Sequence, residues 1–293
     1  MMSGTLPTCQ GAEPNTRTPV FKTPSKACDS HAHVFGPRDR FPYDPGRSYD
    51  PPEAPYEAYR KMLDVLGVER ACLVQPSVHG TDNTAMLDAI TRSNGAMRGI
   101  AVVSGDIGDV ELQQLHEGGV CGLRVNLQFD GVAALEGIEH LAERIRPMGW
   151  HLQFLANIAN FHDVLPRLGA LPVDILFDHL GHMPTEQGIE APPFQALLRL
   201  MREGHTWVKL SGPYRTSTEQ GVPFSDTAPY VEALIDAAPD HVLWGTDWPH
   251  PHLEIPMVND GDLLDSLGTW VGDDAMRNQI LVENPARLFG FER

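Results

Sequence analysis

Two histidines, His31 and His33, stand one residue apart in the apolar segment 28–35. If this segment is a strand, both imidazoles point to the same face, because side chains alternate along a strand with a period of two residues. Two imidazoles placed side by side could bind one metal ion or one anionic group. The short pattern fits equally well a strand whose two histidines are solvated at an edge. Its meaning therefore depends on what the other segments bring to it.

Further residues that are able to do chemistry follow the other apolar segments of the chain. Neutral imidazoles with a carboxylate form a ligand set suited to zinc, which makes bound water a nucleophile near neutral pH. Guanidinium groups bind carboxylates or sulfonates through two parallel hydrogen bonds. Together these residue types predict the cleavage of an anionic ester or lactone by water. The residues are Ser77, His79, Arg124, Asp178, His179, His182, Tyr214, Arg215, Asp247, His250 and His252.

Several of these residues also have a simple structural interpretation. Asp247 could cap the helix that follows it. The histidines at 182, 250 and 252 lie in loops rich in Pro and Gly, where they could be solvated, and we favour that interpretation for the last one. Asp178 and His179 are neighbours, so alternation predicts that only one of them faces the interior, and an inward His179 makes Asp178 structural. Arg124 is the hardest to explain by packing, because a guanidinium within a strand needs a polar environment.

The charge of the chain argues against several classes of partner. Lysine and arginine number 22 against 39 aspartates and glutamates, and the net charge of −17 disfavours nucleic acid and anionic membranes. The four cysteines, Cys9, Cys28, Cys72 and Cys121, show no paired spacing, so we expect reduced thiols in a cytoplasmic protein. The N-terminal residues are polar, rich in Pro and Thr, and lack an apolar signal segment. We therefore expect residues 1–25 to form a flexible arm.

Strand patterns alternate with helical patterns along the rest of the chain. This alternation predicts a parallel sheet covered by helices, and eight strands favour a closed (β/α)8 barrel over an open sheet. No glycine-rich nucleotide motif follows the first strand, which disfavours a dinucleotide-binding fold. Residues 26–293 are thus predicted to form one domain. The predicted strands are 28–35, 71–76, 98–103, 122–127, 151–155, 173–179, 207–212 and 241–248, and the predicted helices are 56–66, 83–91, 110–117, 135–145, 161–168, 194–202, 230–238 and a helical tail over 262–291.

Three separated motifs occur at the carboxyl ends of these strands, where the catalytic groups of such barrels stand. They are His-Ala-His at 31–33, Asp-His-Leu-Gly at 178–181 and Trp-Gly-Thr-Asp-Trp-Pro-His at 244–250. In this order and on these strands they resemble the amidohydrolase superfamily, in particular its branch of lactonases for pyrone dicarboxylates and sulfomuconolactones. The resemblance extends from about residue 26 to the C-terminus. It implies a hydrolase of aromatic-compound catabolism.

The resemblance also implies roles for residues at matching positions. Asp247 would activate water, and the metal would vary within the branch, since the pyrone-dicarboxylate enzymes work without one and the sulfomuconolactone enzymes use zinc. No lysine ends strand 4 or strand 5, so one zinc ion is expected rather than a two-metal centre with a carboxylated lysine. The reactive carbonyl, and the zinc where present, would be surrounded by His31, His33, His179 and Asp247. The substrate contacts would be Arg124, Arg215, Tyr49, Ser77, His79 and His182.

Two departures from the branch bear on the substrate. Where the pyrone-dicarboxylate lactonases carry two further arginines, this chain has Gln128-Phe129-Asp130 and His182. Each lost charged hydrogen bond would weaken the binding of a dicarboxylate by roughly 1.5–3 kcal/mol. We therefore expect 4-sulfomuconolactone as the small anionic substrate, with the pyrone dicarboxylate as the alternative. The alternative hypotheses are a decarboxylase on the same scaffold and a barrel that binds a ligand without turnover. We also expect identical chains to associate.

Overall fold

Eight short parallel strands form the centre of the molecule in a computed structural model, which describes residues 6–292. The strands are β1 (Cys28–Ala32), β2 (Arg70–Val74), β3 (Met97–Ala101), β4 (Val120–Asn126), β5 (His151–Leu155), β6 (Ile175–Phe177), β7 (Thr206–Leu210) and β8 (Val242–Trp244). Each strand pairs with the next one along the chain, and a parallel bridge between Ala32 and Trp248 joins the two ends of the sheet. The predicted (β/α)8 barrel is confirmed.

Helices follow the strands and cover the outside of the sheet. The predicted helix 56–66 agrees with the structure, and its apolar side chains are buried as its spacing predicts. The predicted helix 161–168 is instead divided: α6 ends at Phe161, and a new helix begins at Leu165 with Pro166, which lacks an N–H, in its first turn. The helices are α1 (Tyr56–Leu66), α2 (Thr84–Arg92), α3 (Asp109–Glu117), α4 (Leu127–Asp130), α5 (Ile138–Ile145), α6 (Ile158–Phe161), α7 (Leu165–Gly169), α8 (Pro192–Arg202), α9 (Ala228–Ala237), α10 (Asp260–Trp270), α11 (Asp274–Asn278) and α12 (Asn284–Phe289). Within residues 6–292, none of the helices has the length and apolar character needed to cross a bilayer.

A buried carboxylate, Asp29, closes the barrel between β1 and β8. Its Oδ1 accepts hydrogen bonds from the backbone N–H of Thr246 (2.9 Å) and of His31 (3.1 Å). Its Oδ2 accepts from the Thr246 hydroxyl (2.6 Å) and the Tyr59 hydroxyl (2.9 Å). Just beyond, the N–H of Asp247 donates to the carbonyl of His31 at 2.8 Å. The first and last strands are thus fixed to each other at the level of the predicted catalytic residues.

The N-terminal arm lies along the barrel over the part that the structure describes, residues 6–25. The side chain of Gln10 donates to the carbonyl of Ile255 at 2.9 Å. Further along, the N–H of Arg17 donates to Asn259 Oδ1 at 2.8 Å, and its guanidinium pairs with Asp262 at 2.6 Å. These contacts connect the arm to the start of α10. The flexibility of the arm stays a prediction.

We expect Gly261→Ala to loosen the arm, because a Cβ at Gly261 would lie 2.0 Å from the carbonyl oxygen of Arg17. Relieving this overlap requires the arm or α10 to shift, at a cost of roughly 1–3 kcal/mol. Gly268→Ala is the matched control in the same helix, since its Cβ would meet Phe21 at an ordinary 3.7 Å. We expect a lower Tm and faster tryptic cleavage after Arg17 for Gly261→Ala only. Equal cleavage rates in both variants would contradict this role of the contact.

Candidate active site

A cavity of about 600 Å³ opens at the carboxyl ends of the strands. His31 lies beneath it and is fully buried. His79 does not line the cavity, because its ring packs against Tyr43 and pairs with the carbonyl of Pro42 at 3.2 Å. The other predicted site residues that line the cavity are His33, Tyr49, Ser77, Arg124, His179, His182, Arg215 and Asp247. The structure therefore brings together most of the residues that were selected from the sequence.

Three imidazoles converge on one oxygen of Asp247 at the bottom of this cavity. The Nε2 atoms of His31 and His33 each lie 3.6 Å from Asp247 Oδ1, and that of His179 lies at 3.8 Å. Asp247 Oδ1 and His31 Nε2 are both buried, and neither has a hydrogen-bond partner among the described residues. Buried polar atoms are rarely left unpaired, so this arrangement is suited to a bound metal ion, water or substrate atom. Imidazole and carboxylate ligands at such separations suit a divalent ion such as zinc.

The other oxygen of Asp247 is held by two neighbours from the loop after β7. Tyr214 donates its hydroxyl to Asp247 Oδ2 at 2.8 Å, and the guanidinium of Arg215 donates from Nε at 2.7 Å. Burial alone would raise the pKa of Asp247, but the guanidinium of Arg215 outweighs it and holds the pKa well below its usual value. Asp247 is therefore a fixed carboxylate with one oxygen engaged and one directed at the histidines. The predicted substrate contact of Arg215 stays a prediction.

The hydrogen-bond partners of the imidazoles indicate which ring nitrogen carries the proton. His33 Nδ1 lies 2.7 Å from the carbonyl of Val74, which can only accept, so this nitrogen donates and Nε2 keeps a lone pair. His179 Nδ1 lies 2.9 Å from the hydroxyl of Ser211. Burial lowers the pKa of His33, of His179 and of His31, the last to about 3, so all three rings are neutral. Neutral rings fixed through one nitrogen are typical of metal-binding or hydrogen-bonding histidines.

The chain turns sharply after β6, and this turn corrects one expectation. Alternation predicts that only one of Asp178 and His179 faces the interior, but both do. β6 ends at Phe177, and His179 adopts a left-handed backbone with φ of 51°. Asp178 Oδ1 thereby lies 3.1 Å from His31 Nδ1, while His179 reaches Asp247. Asp247 is also left-handed, with φ of 66°, and it lies beyond the end of β8 although the predicted strand included it.

The loop histidines do not share one environment. The interpretation of solvated side chains is wrong for His182 and His250, which are buried because they pack against other site residues. The ring of His182 lies 5.0 Å from that of His179, and His250 pairs with Tyr214 at 2.8 Å. His252 is exposed, as expected, and its ring lies 3.9 Å from that of Tyr49 at the mouth of the cavity.

Sequence reasoning missed Lys209, a fully buried lysine in β7. Its Nζ lies 2.7 Å from Gln153 Oε1, 3.2 Å from His31 Nδ1 and 3.6 Å from Asp178 Oδ1. The signal was present, because a lysine within an otherwise apolar strand needs polar partners inside the barrel. The same argument had singled out Arg124, whose NH2 lies 3.5 Å from Asp178 Oδ2 on the opposite side of that carboxylate group. Asp178 is thus the centre of a buried charged cluster under the cavity.

The chain is similar over nearly its whole length to known lactone hydrolases. The amidohydrolase family model matches residues 28–291. A 4-sulfomuconolactone hydrolase from Rhizobium radiobacter is 40% identical, with 97% of both chains covered. A 2-pyrone-4,6-dicarboxylate hydrolase from Comamonas testosteroni is 37% identical over 94% of this chain and 93% of that protein. A crystal structure of a probable hydrolase of the latter type from Acinetobacter baumannii, with citric acid bound, is 30% identical, covers 91% of this chain and all of its own (100%), and has a TM-score of 0.77.

Proposed function

Because this chain belongs to the amidohydrolase family, we propose that it hydrolyses a small anionic lactone, with 4-sulfomuconolactone as the substrate. The observation that carries the proposal is the unpaired oxygen of Asp247, which faces three neutral imidazoles at the bottom of a cavity that Arg124 enters. The attack of water on an anionic ester requires a group that accepts a proton from water and a group that stabilises the carbonyl oxygen. It also requires a cation that binds the acidic substituent.

The four converging groups fit a divalent metal ion, and zinc is the ion that their chemistry favours. His31, His33, His179 and Asp247 would hold it, since the ligand atoms of His31, His33 and Asp247 lie close together and His179 Nε2 lies 3.8 Å from Asp247 Oδ1. Within residues 6–292, His31 Nε2 and Asp247 Oδ1 have no hydrogen-bond partner. When bound, zinc supplies a Lewis acid that polarises the lactone carbonyl and makes water more acidic.

The chain's own residues define the proton transfers. Asp247 Oδ1 accepts a proton from water as the oxygen of that water forms a bond to the lactone carbonyl carbon. The carbonyl–oxygen bond of the ring then breaks, and Asp247 returns the proton to the leaving oxygen. Tyr214 and Arg215 hold Oδ2 throughout, so the active oxygen keeps its position. Ring opening thus consumes one water molecule and gives a hydroxyl group and a carboxylic acid, which releases its proton to the solvent and becomes a carboxylate.

The cavity wall supports the choice of substrate. Arg124 lines the cavity with 8% of its side chain exposed, while its NH1 donates to the carbonyl of Gln75 at 3.3 Å and its NH2 lies 3.5 Å from Asp178 Oδ2. A guanidinium in the cavity wall suits one sulfonate or carboxylate. Gln128 and His182 also line the cavity, and they are neutral at positions where a planar dicarboxylate would need cations.

The experiment that tests the proposal is a paired assay of 4-sulfomuconolactone and 2-pyrone-4,6-dicarboxylate in water enriched in oxygen-18. We expect a higher kcat/KM for the sulfonated lactone and one labelled oxygen in its product. A preference for the dicarboxylate would identify the alternative lactonase. Release of carbon dioxide without label would identify a decarboxylase, and no turnover would indicate a binding protein; either result would refute the proposal.

We expect Arg124→Met to raise KM for the sulfonated lactone by about tenfold to a hundredfold, with a smaller change in kcat. The reason is the loss of a charged hydrogen bond to the acidic substituent, worth roughly 1.5–3 kcal/mol. Arg98→Met is the matched control, since Arg98 lies in β3 but pairs with backbone carbonyls at the opposite end of the barrel. Steady-state kinetics of both variants provides the measurement. A fall in kcat alone for Arg124→Met would contradict a role in substrate binding.

We also propose a cytoplasmic location for the enzyme. Its four cysteines have free thiols, and Cys28 and Cys72 are buried, as is typical of proteins in a reducing compartment. Association of identical chains stays a prediction, which sedimentation would test.

A further inference from the structure

Lys209 is buried in the barrel directly beneath the cavity, and the proposed mechanism does not use it. Its ammonium nitrogen donates to Gln153 Oε1 at 2.7 Å and lies 3.2 Å from His31 Nδ1. The neighbouring carboxylate of Asp178, at 3.6 Å, balances its charge. A fully buried lysine is costly unless its protons are all used, so these contacts define what it does.

The contact with Lys209 determines where the proton of His31 lies. An ammonium group can only donate, so His31 Nδ1 accepts from Lys209. A neutral imidazole has one N–H, which then belongs to Nε2. Asp178 Oδ1 lies 3.1 Å from the same Nδ1, yet it makes no directed hydrogen bond within the described residues. The Nε2–H of His31 therefore points toward Asp247 Oδ1, 3.6 Å away.

His31 and His33 consequently differ in spite of their equivalent spacing. His33 donates from Nδ1 to the Val74 carbonyl, so its Nε2 presents a lone pair to the cavity floor. His31 presents an N–H there. A lone pair can bind a metal ion, whereas an N–H can only donate a hydrogen bond, for example to the carbonyl oxygen of a substrate.

We propose that Lys209 is a positioning residue that holds His31 as a hydrogen-bond donor toward the substrate and thereby weakens metal binding at the three-histidine site. For His31 to bind a metal ion through Nε2, its proton must move to Nδ1. There the proton would face the ammonium of Lys209, and only Asp178 could accept it. The balance between Lys209 and Asp178 around one nitrogen thus sets the metal affinity of the site. This inference deepens the proposed function and rests on it.

The test compares zinc affinity in metal-stripped wild type, Lys209→Met and Asp178→Asn by competition with a chelating dye. We expect Kd for zinc to fall about tenfold or more in Lys209→Met, because the opposing charged donor is gone. In Asp178→Asn we expect Kd to rise, because the acceptor for the moved proton is weakened. Lys61→Met, on the exposed face of α1, is the matched control and should leave Kd unchanged.

The sign of the change separates this role from a merely structural one, since a loosened site would bind zinc more weakly. Weaker or unchanged zinc binding in folded Lys209→Met would overturn the proposal. If that variant does not fold, a measurement on the wild type tests the proposal instead. A long-range proton–nitrogen NMR spectrum of the metal-free protein should show His31 protonated at Nε2. A proton on Nδ1 would refute the inference. Neither measurement uses a lactone, so a failure here is distinct from a failure of the proposed activity.

Discussion

Asp247→Asn should lower kcat for lactone hydrolysis by about a thousandfold or more. A general base contributes on the order of 10²–10⁴ to the rate, and an amide cannot take the proton from water. The amide oxygen would face Tyr214 and Arg215, which both donate, so its NH2 group would point at the imidazoles. The substitution therefore replaces the free acceptor with a donor at the point where Asp247 Oδ1 faces His31, His33 and His179.

Kinetics with saturating substrate, together with circular dichroism to verify folding, provides the measurement. Asp163→Asn is the matched control, because that carboxylate is 89% exposed on the outside of the barrel. It should retain full activity. Comparable rates for wild type and folded Asp247→Asn would eliminate Asp247 as the base, whatever the substrate.

Asp29→Ala should destabilise the protein by about 3–5 kcal/mol, the range of substitutions that break a buried hydrogen-bond network. Two of the four hydrogen bonds to Asp29 come from Thr246 and join β1 to the residues just after β8. Loss of the carboxylate also leaves the backbone donors of His31 and Thr246 buried without acceptors. The sheet would open where the chain's first and last strands meet. The active site spans the same junction, so activity should fall with stability.

Asp29→Asn tests whether the hydrogen bonds of Asp29 or its negative charge stabilise the protein. Burial raises the pKa of Asp29 to about 6 even with its four hydrogen bonds, so its charge is not favoured by the site. An amide oxygen can still accept from both backbone donors, and its NH2 can donate to the hydroxyls of Thr246 and Tyr59. We expect urea unfolding to show that Asn retains at least half of the stability lost in Ala. Equal losses would mean that the charge matters more than the hydrogen bonds.

The barrel and much of the site could be predicted from local patterns. The period of apolar residues gave alternating strands and helices, and the position of a residue after a strand was enough to place it at the rim. The spacing of His31 and His33 correctly predicted that both rings share one face, although β1 ends before His33. These inferences succeeded because they depend on neighbours in sequence.

The remainder depends on residues that are distant in sequence. Lys209 and His31 are separated by 178 positions, and no local pattern indicates that they touch. Likewise, Arg215 pairs with Asp247, the proposed base, a contact that follows only from the packing of one loop against another. The inward orientation of both Asp178 and His179 could not be predicted from the sequence, because side chains alternate only where the backbone is extended.

The left-handed backbone at His179, His182 and Asp247 has a consequence for protein engineering. Residues with a Cβ pay roughly 1–2 kcal/mol for this conformation, and glycine does not. Glycine at these three positions would relieve that cost, but it would remove the imidazoles and the carboxylate that line the cavity, and Asp247→Gly would also leave Tyr214 and Arg215 without their acceptor. Relief of backbone strain at these positions would thus be obtained only by losing the site. Directed evolution of this scaffold consequently needs a screen that rewards turnover and thermal tolerance together.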